Sequence, residues 1–168
     1  MEKVMVIGCP GAGKSTFARR LRDGTGLPLY YLDMLWHRPD GTTVSREAFD
    51  ADLERILEGE RWIIDGNYLR TMEVRLRACD TVFLLDYPVE LCLAGARERV
   101  GKPREDMPWV ERELDREFRR WILDFHQDQM PVMEELLGRY REKRLIHFHS
   151  REEAEEYLGR IEKIGMEA

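Results

Sequence analysis

Short apolar runs punctuate the chain at intervals, and polar, helix-spaced stretches lie between them. Val4–Ile7 is the first run, and Gly8 stops it. Leu29–Leu32, Trp62–Ile64, Val82–Leu85 and Leu145–Phe148 follow. Runs of this length bounded by Gly, Pro or Asp predict strands buried on both faces. Between them, Phe17, Ala18 and Leu21 mark a helix over Lys14–Arg22. Phe49, Leu53, Ile56 and Leu57 mark another, with Ser45 as its N-cap and Gly59 near its end. Thr71–Ala78 is a short helix, and Pro88 opens one that runs to about Arg99. Trp109 to about Gln129 predicts one long helix, with Trp109, Phe118, Trp121 and Phe125 as its core stripe. Pro131 opens a further helix, and Ser150 caps the last. Asp33–Val44 and Gly101–Pro108 are expected to be loops.

Strand and helix therefore alternate five times. This predicts an α/β fold of three layers, a parallel sheet covered by helices on both faces with right-handed crossovers. No linker or repeat interrupts the 168 residues, so one domain is expected over 1–168.

Composition narrows the class. Hydrophobic residues make up 43% and charged residues 36%, too apolar for a disordered chain. The net charge of −6 argues against a duplex-DNA binder, and arginine dominates the basic residues. Cys9, Cys79 and Cys92 form no CxxC pair, which suits a reducing compartment. With no signal-peptide pattern and no bilayer-spanning run, a cytoplasmic protein is expected.

The chemistry lies in Gly8-Cys9-Pro10-Gly11-Ala12-Gly13-Lys14-Ser15, which fits G-x-x-x-x-G-K-S/T in full. It follows a strand and opens a helix, the context in which such a loop cradles phosphates. The backbone of Gly8, Pro10, Gly11, Ala12 and Gly13, with Thr16 at the helix start, is expected to hold ATP. Lys14 would reach the β- and γ-phosphates, and Ser15 would hold Mg²⁺. No N-K-x-D base-reading motif occurs, which favours ATP over GTP. Asp65 and Asp86 each end a strand, and either could position Mg²⁺. Asp33 follows the second strand at the ligand-binding edge, where it could take a proton from an acceptor or grip it, with Trp36, His37 and Arg38 behind it. Arg97, Arg104 and a string of arginines over 112–120 suggest a flap that closes over the transferring phosphoryl group. His147 and His149 share a strand face, but without a further ligand they read as structural; His37 and His126 are isolated.

Taken together, GCPGAGKST, YLDMLWHRP, RWIIDGNYLRT, VFLLDYPVELCL, KPREDMPW, EFRRWILDF and IHFHSREEAEEYL resemble the P-loop kinases of the nucleoside and nucleotide kinase type, which include adenylate kinase and shikimate kinase. Among these the chain most resembles the family of DNA topology modulation proteins related to FlaR. The resemblance implies the sheet order 2-3-1-4-5 and makes Asp65 the Walker B-like acid. It makes Arg70 an acceptor-phosphate arginine; Asp33, Arg38 and Asn67 are the further candidate acceptor contacts, and an acceptor-binding helical segment is expected over about 33–59. Arg97 would open a short lid of about 100–120 and lie along the ATP, and Arg104-Glu105-Asp106 is similar to a lid motif. The implied activity is a Mg-ATP-dependent phosphotransferase acting on a small acceptor, such as a nucleotide or nucleoside. The alternative is an ATP-binding regulator of DNA topology.

Overall fold

A computed structural model describes residues 1–167, with side chains through Met166. Five strands, β1 (Lys3–Gly8), β2 (Leu29–Tyr31), β3 (Trp62–Asp65), β4 (Thr81–Leu85) and β5 (Arg144–Phe148), form one sheet. Its order is β2-β3-β1-β4-β5, and every pairing is parallel. The α/β fold with order 2-3-1-4-5 is thus the expected one.

Position in the sheet explains the composition of each strand. Val4–Ile7, Trp62–Ile64 and Val82–Leu85 occupy the three inner strands and are buried on both faces. Each such side chain contributes roughly 1.5–3 kcal/mol by leaving water. The edge strands carry the exceptions: Tyr30 on β2 and Arg144 and Leu145 on β5 are exposed.

Helices α1 (Lys14–Thr25) and α8 (Arg151–Glu167) pack together on one face. There Phe17, Phe83, Phe148 and Tyr157 form an aromatic cluster, with ring centroids 5.0 to 6.0 Å apart. Helices α4 (Leu69–Ala78), α5 (Val89–Arg99), α6 (Arg116–Asp128) and α7 (Met130–Arg139) make up most of the rest of the cover. Two further helices, α2 (Leu32–Trp36) and α3 (Arg46–Glu58), lie beyond β2. Ser45 Oγ accepts from Ala48 N at 3.1 Å and caps α3, and Ser150 Oγ accepts from Glu153 N at 3.3 Å near the start of α8. The three cysteines are buried and free. No helix among the described residues is long and apolar enough to cross a membrane.

Three local expectations need correction. The loop expected over Asp33–Val44 begins with the short helix α2, and a single bridge between His37 and Thr43 closes its remainder. The helix expected from Trp109 starts only at Arg116. Asp115 is its N-cap and accepts from Glu117 N at 2.6 Å, so residues 109–115 stay irregular. The aromatic stripe consequently divides. Phe125 is buried and Phe118 half-buried, Trp121 is exposed, and Trp109 belongs to the irregular segment.

Candidate active site

The C-terminal ends of β1 and β3 meet at the loop Gly8–Ser15. Gly11 (φ 84°) and Gly13 (φ 96°) take the left-handed conformation that lets this loop turn and open α1. A side chain at Gly11 would lie 2.0 Å from the Cys92 carbonyl oxygen, and one at Gly95 would lie 2.1 Å from the Gly11 carbonyl oxygen. The loop therefore sits directly on the backbone of α5. Ala12 is buried, Pro10 half-buried, and Gly13 and Thr16 are exposed to the approach of a ligand.

Lys14 curls back over the loop, and its Nζ donates to Gly8 O (3.0 Å) and Cys9 O (3.2 Å). Burial pushes its ammonium pKa down, while the Asp65 charge opposes the shift. Ser15 Oγ donates to Asp65 Oδ2 at 2.5 Å. Asp65 Oδ1 is buried and has no partner. Burial raises the Asp65 carboxyl to about 6 despite the nearby Lys14. A buried carboxylate with an orphan oxygen beside a serine hydroxyl is an oxygen donor set that fits Mg²⁺.

The segment after Asp65 is held by side chains. Asn67 Oδ1 accepts from Gly8 N at 3.0 Å, and its Nδ2 donates to Gly8 O at 2.8 Å. Both ends of the amide fix the phosphate loop to the segment after β3. Tyr68 follows at φ 37°, the one non-glycine residue with positive φ among those described. Such a conformation costs on the order of 1–3 kcal/mol and persists where neighbours over-determine it. Arg75 supplies much of that support. It is fully buried and donates to the carbonyls of Gly66 (2.9 Å), Asn67 and Tyr68 (3.1 Å). Burial pushes its guanidinium pKa down to about 9.

Tyr68 in turn reaches the acceptor side. Its ring stacks on Phe49 (5.4 Å between centroids), and its hydroxyl donates to Asp33 Oδ1 at 2.6 Å. Burial first, and the Asp33 charge second, raise the Tyr68 pKa, so the phenol stays a donor. Asp33 lies in the first turn of α2, half-buried. Beside it His37 meets Trp109 edge-on at 4.8 Å, which brings the irregular segment across to α2. Arg38 is exposed and contributes backbone turn bonds only.

On the other side of the loop lies a cavity of about 440 Å³. Gly11–Gly13 and Thr16 form its floor, and Arg99, Lys102, Arg104 and Arg151 give its walls positive charge. Arg99 Nε is buried without a partner, and the guanidinium lies 5.7 Å from the Phe118 ring centroid. Burial, then the neighbouring Arg104, push its pKa down. Arg104 is held 3.6 Å from both Asp106 and Glu111. Asp106 also meets Arg19 at 3.8 Å, and Glu105 meets Arg22 at 2.5 Å, so the segment is docked on α1.

The structure thus brings together Lys14, Ser15, Asp65 and, across the same sheet edge, Asp33, while Arg104 lines the adjoining cavity. Two predicted residues lie elsewhere. Arg97 is exposed at the end of α5 and does not line the cavity; Arg99, half a helical turn further on, does. Arg70 is exposed and grips Asp50 of α3 through two bonds of 2.7 and 3.0 Å. That pairing fixes α4 to α3 and spends the guanidinium on the surface. The arginines at 112, 116, 119 and 120 are exposed, and Arg120 pairs with Asp124 at 2.7 Å. Asp86, one residue beyond the partner of Gly8, spends both carboxylate oxygens on His126 and His147. Tyr68 and Arg75 escaped the sequence reading: a buried arginine served by carbonyls carries no sequence signal beyond its place on an apolar helix face.

Comparison with solved structures confirms the architecture. The chain is similar to the shikimate kinase of Acinetobacter baumannii in complex with shikimate, at TM-score 0.62 and 18% identity over 99% of this chain and 94% of that one. It is similar to the shikimate kinase of Bacteroides thetaiotaomicron, at TM-score 0.59 and 18% identity over 98% of both chains. An unliganded sugar kinase from Janibacter sp. HTCC2649 matches at TM-score 0.54 and 19% identity, over 94% of this chain and 90% of that one. The likeness to these kinases is one of fold. No protein-family model and no curated protein matches the chain, so the narrower resemblance to the DNA topology modulation family is not confirmed.

Proposed function

We propose that the chain is a Mg-ATP-dependent kinase that phosphorylates a hydroxyl of a small polar acceptor. The observation that carries this reading is the shared edge of Lys14, the Ser15–Asp65 pair and the Tyr68-held Asp33. Phosphoryl transfer needs positioning and charge neutralisation more than covalent chemistry, and these residues supply both.

In this reading the loop and the cavity hold the nucleotide. Lys14 exchanges its two carbonyl partners for phosphate oxygens. Ser15 and Asp65 would hold Mg²⁺, which would supply neutralisation of phosphate charge. Asp33 orients the acceptor hydroxyl and accepts its proton, with Oδ2 left for the acceptor while Tyr68 fixes Oδ1. Arg99 and Arg104 line the nucleotide side and offset the charge that develops on transfer. The whole chain acts as one unit, with the acceptor segment over about 33–59. The lid is the irregular stretch that ends at Asp115, shorter than expected from the sequence. The neighbours named shikimate kinase and sugar kinase support a hydroxylated acceptor.

The test is ADP release from Mg-ATP against a panel of hydroxy acids, sugars, nucleosides and nucleoside monophosphates. One acceptor is expected to stimulate release strongly, and Lys14→Ala to abolish it. Release that no acceptor stimulates, or that survives in Lys14→Ala, would overturn the kinase reading.

A further inference from the structure

A second cluster of ligating side chains lies at the C-terminal ends of β4 and β5, along the same sheet edge as the phosphate loop. Its origin is the strand register. Leu84 pairs with His147 across the parallel ladder, and Leu85 with Phe148. The backbone pairing continues one step, with Asp86 N donating to Phe148 O at 2.9 Å. Side chains alternate along a strand, so Asp86, His147 and His149 emerge on one face. The last turn of α6 then adds His126.

The resulting distances are short. His147 Nε2 lies 2.9 Å from Asp86 Oδ2, and His126 Nε2 lies 2.8 Å from Asp86 Oδ1. The His147 and His149 rings lie 4.0 Å apart between centroids. One ligand atom from each of Asp86, His147 and His149 falls within 4.8 Å of the others. Ligand atoms around a tetrahedral zinc ion stand roughly 3.3 Å apart, so modest side-chain rotation closes the set. The His149 ring has no hydrogen-bond partner among the described residues, although its backbone N–H is fixed by Glu153 at 2.7 Å. The cluster is half-buried and open to solvent on the His149 side.

We propose that Asp86, His147 and His149 form a site for a divalent transition metal of the zinc type, with His126 holding Asp86 Oδ1 in place. Imidazole-rich donors with one carboxylate suit zinc, cobalt or nickel, whereas Mg²⁺ takes oxygen ligands. The site is therefore distinct in chemistry as well as place from the Ser15–Asp65 pair. A bound ion ties the C-terminal ends of β4 and β5 at one corner.

The test uses the full chain without a histidine tag, stripped with chelator and loaded with Zn²⁺. Retention of one equivalent through gel filtration, and a rise in the thermal midpoint with Zn²⁺ but not Mg²⁺, are expected. Co²⁺ should give the intense visible absorption of a low-symmetry site with nitrogen ligands. His147→Gln and His149→Gln should each weaken Zn²⁺ binding roughly tenfold or more, with folding checked by circular dichroism. Lys14→Ala should retain the metal in full. Failure to retain Zn²⁺, or retention unchanged in the His147→Gln/His149→Gln double variant, would overturn the proposal.

Discussion

Asp65 sets function against stability, and the conflict can be measured. Burial raises its carboxyl pKa to about 6 from an ordinary 3.8. A raised acid binds its proton more tightly in the folded chain than in the unfolded one. Its favourable contribution is therefore complete below about pH 3.8 and lost as pH rises through about 6. At 1.36 kcal/mol per unit, the ionised form costs the nucleotide-free protein about 3 kcal/mol at neutral pH. Asp65→Asn keeps the shape, can still accept from Ser15 and removes the charge. Urea unfolding of both proteins without nucleotide should show the variant more stable by about 3 kcal/mol at pH 7.5, with the gap closing steadily toward pH 4. Adding Mg²⁺ and nucleotide should stabilise the wild type and do much less for the variant, which should also lose turnover. A variant less stable than wild type at pH 7.5, or a gap that ignores pH, would refute the assignment of Asp65 as a charge waiting for a cation.

Other outcomes follow from the same geometry. Arg75→Met leaves the carbonyls of residues 66–68 without their donor, so urea unfolding should show a loss of roughly 3 kcal/mol. The kinase assay should fall in parallel, because those residues link Asp65 to Tyr68. Arg70→Ala should cost about 0.5 kcal/mol or less and leave acceptor KM unchanged, since Arg70 serves an exposed pair with Asp50. Tyr68→Phe should lower kcat more than it lowers stability, because it frees Asp33 while keeping the ring on Phe49. Gly95→Ala, in a helix where alanine ordinarily gains about 1 kcal/mol, should instead lower the thermal midpoint. Its Cβ would meet the Gly11 carbonyl oxygen at 2.1 Å, and weakened nucleotide binding should accompany the loss.

The fold was legible because it rests on local signals that agree. Buried inner strands read as continuous apolar runs, and the phosphate loop is contiguous in sequence, so one window holds the loop, Lys14 and Ser15. The failures share a different physics. Whether Asn67 faces a ligand or the phosphate loop depends on a contact with Gly8, 59 residues away. The role of Arg70 rests on the family resemblance, whereas its contact in the fold depends on Asp50, 20 residues earlier on α3. The helix start at Arg116 hinged on which of several acidic residues would cap it. His126 seemed isolated because its partner, Asp86, is 40 residues distant and meets it only when α6 folds over β4.

The arginines make the wider point, because composition marks them as abundant but not as equivalent. On the surface Arg20, Arg22 and Arg70 pair with carboxylates, where charge is screened and the gain is small. Arg75 is buried without a carboxylate, and carbonyl oxygens alone satisfy it. Arg99 and Arg104 lie between these extremes: half-buried, close enough to depress the Arg99 pKa, and facing the cavity. Two like charges held together in a low-dielectric wall gain stability from an anion between them. A polyphosphate supplies that anion, so the wall that holds Arg99 beside Arg104 is well placed to bind it.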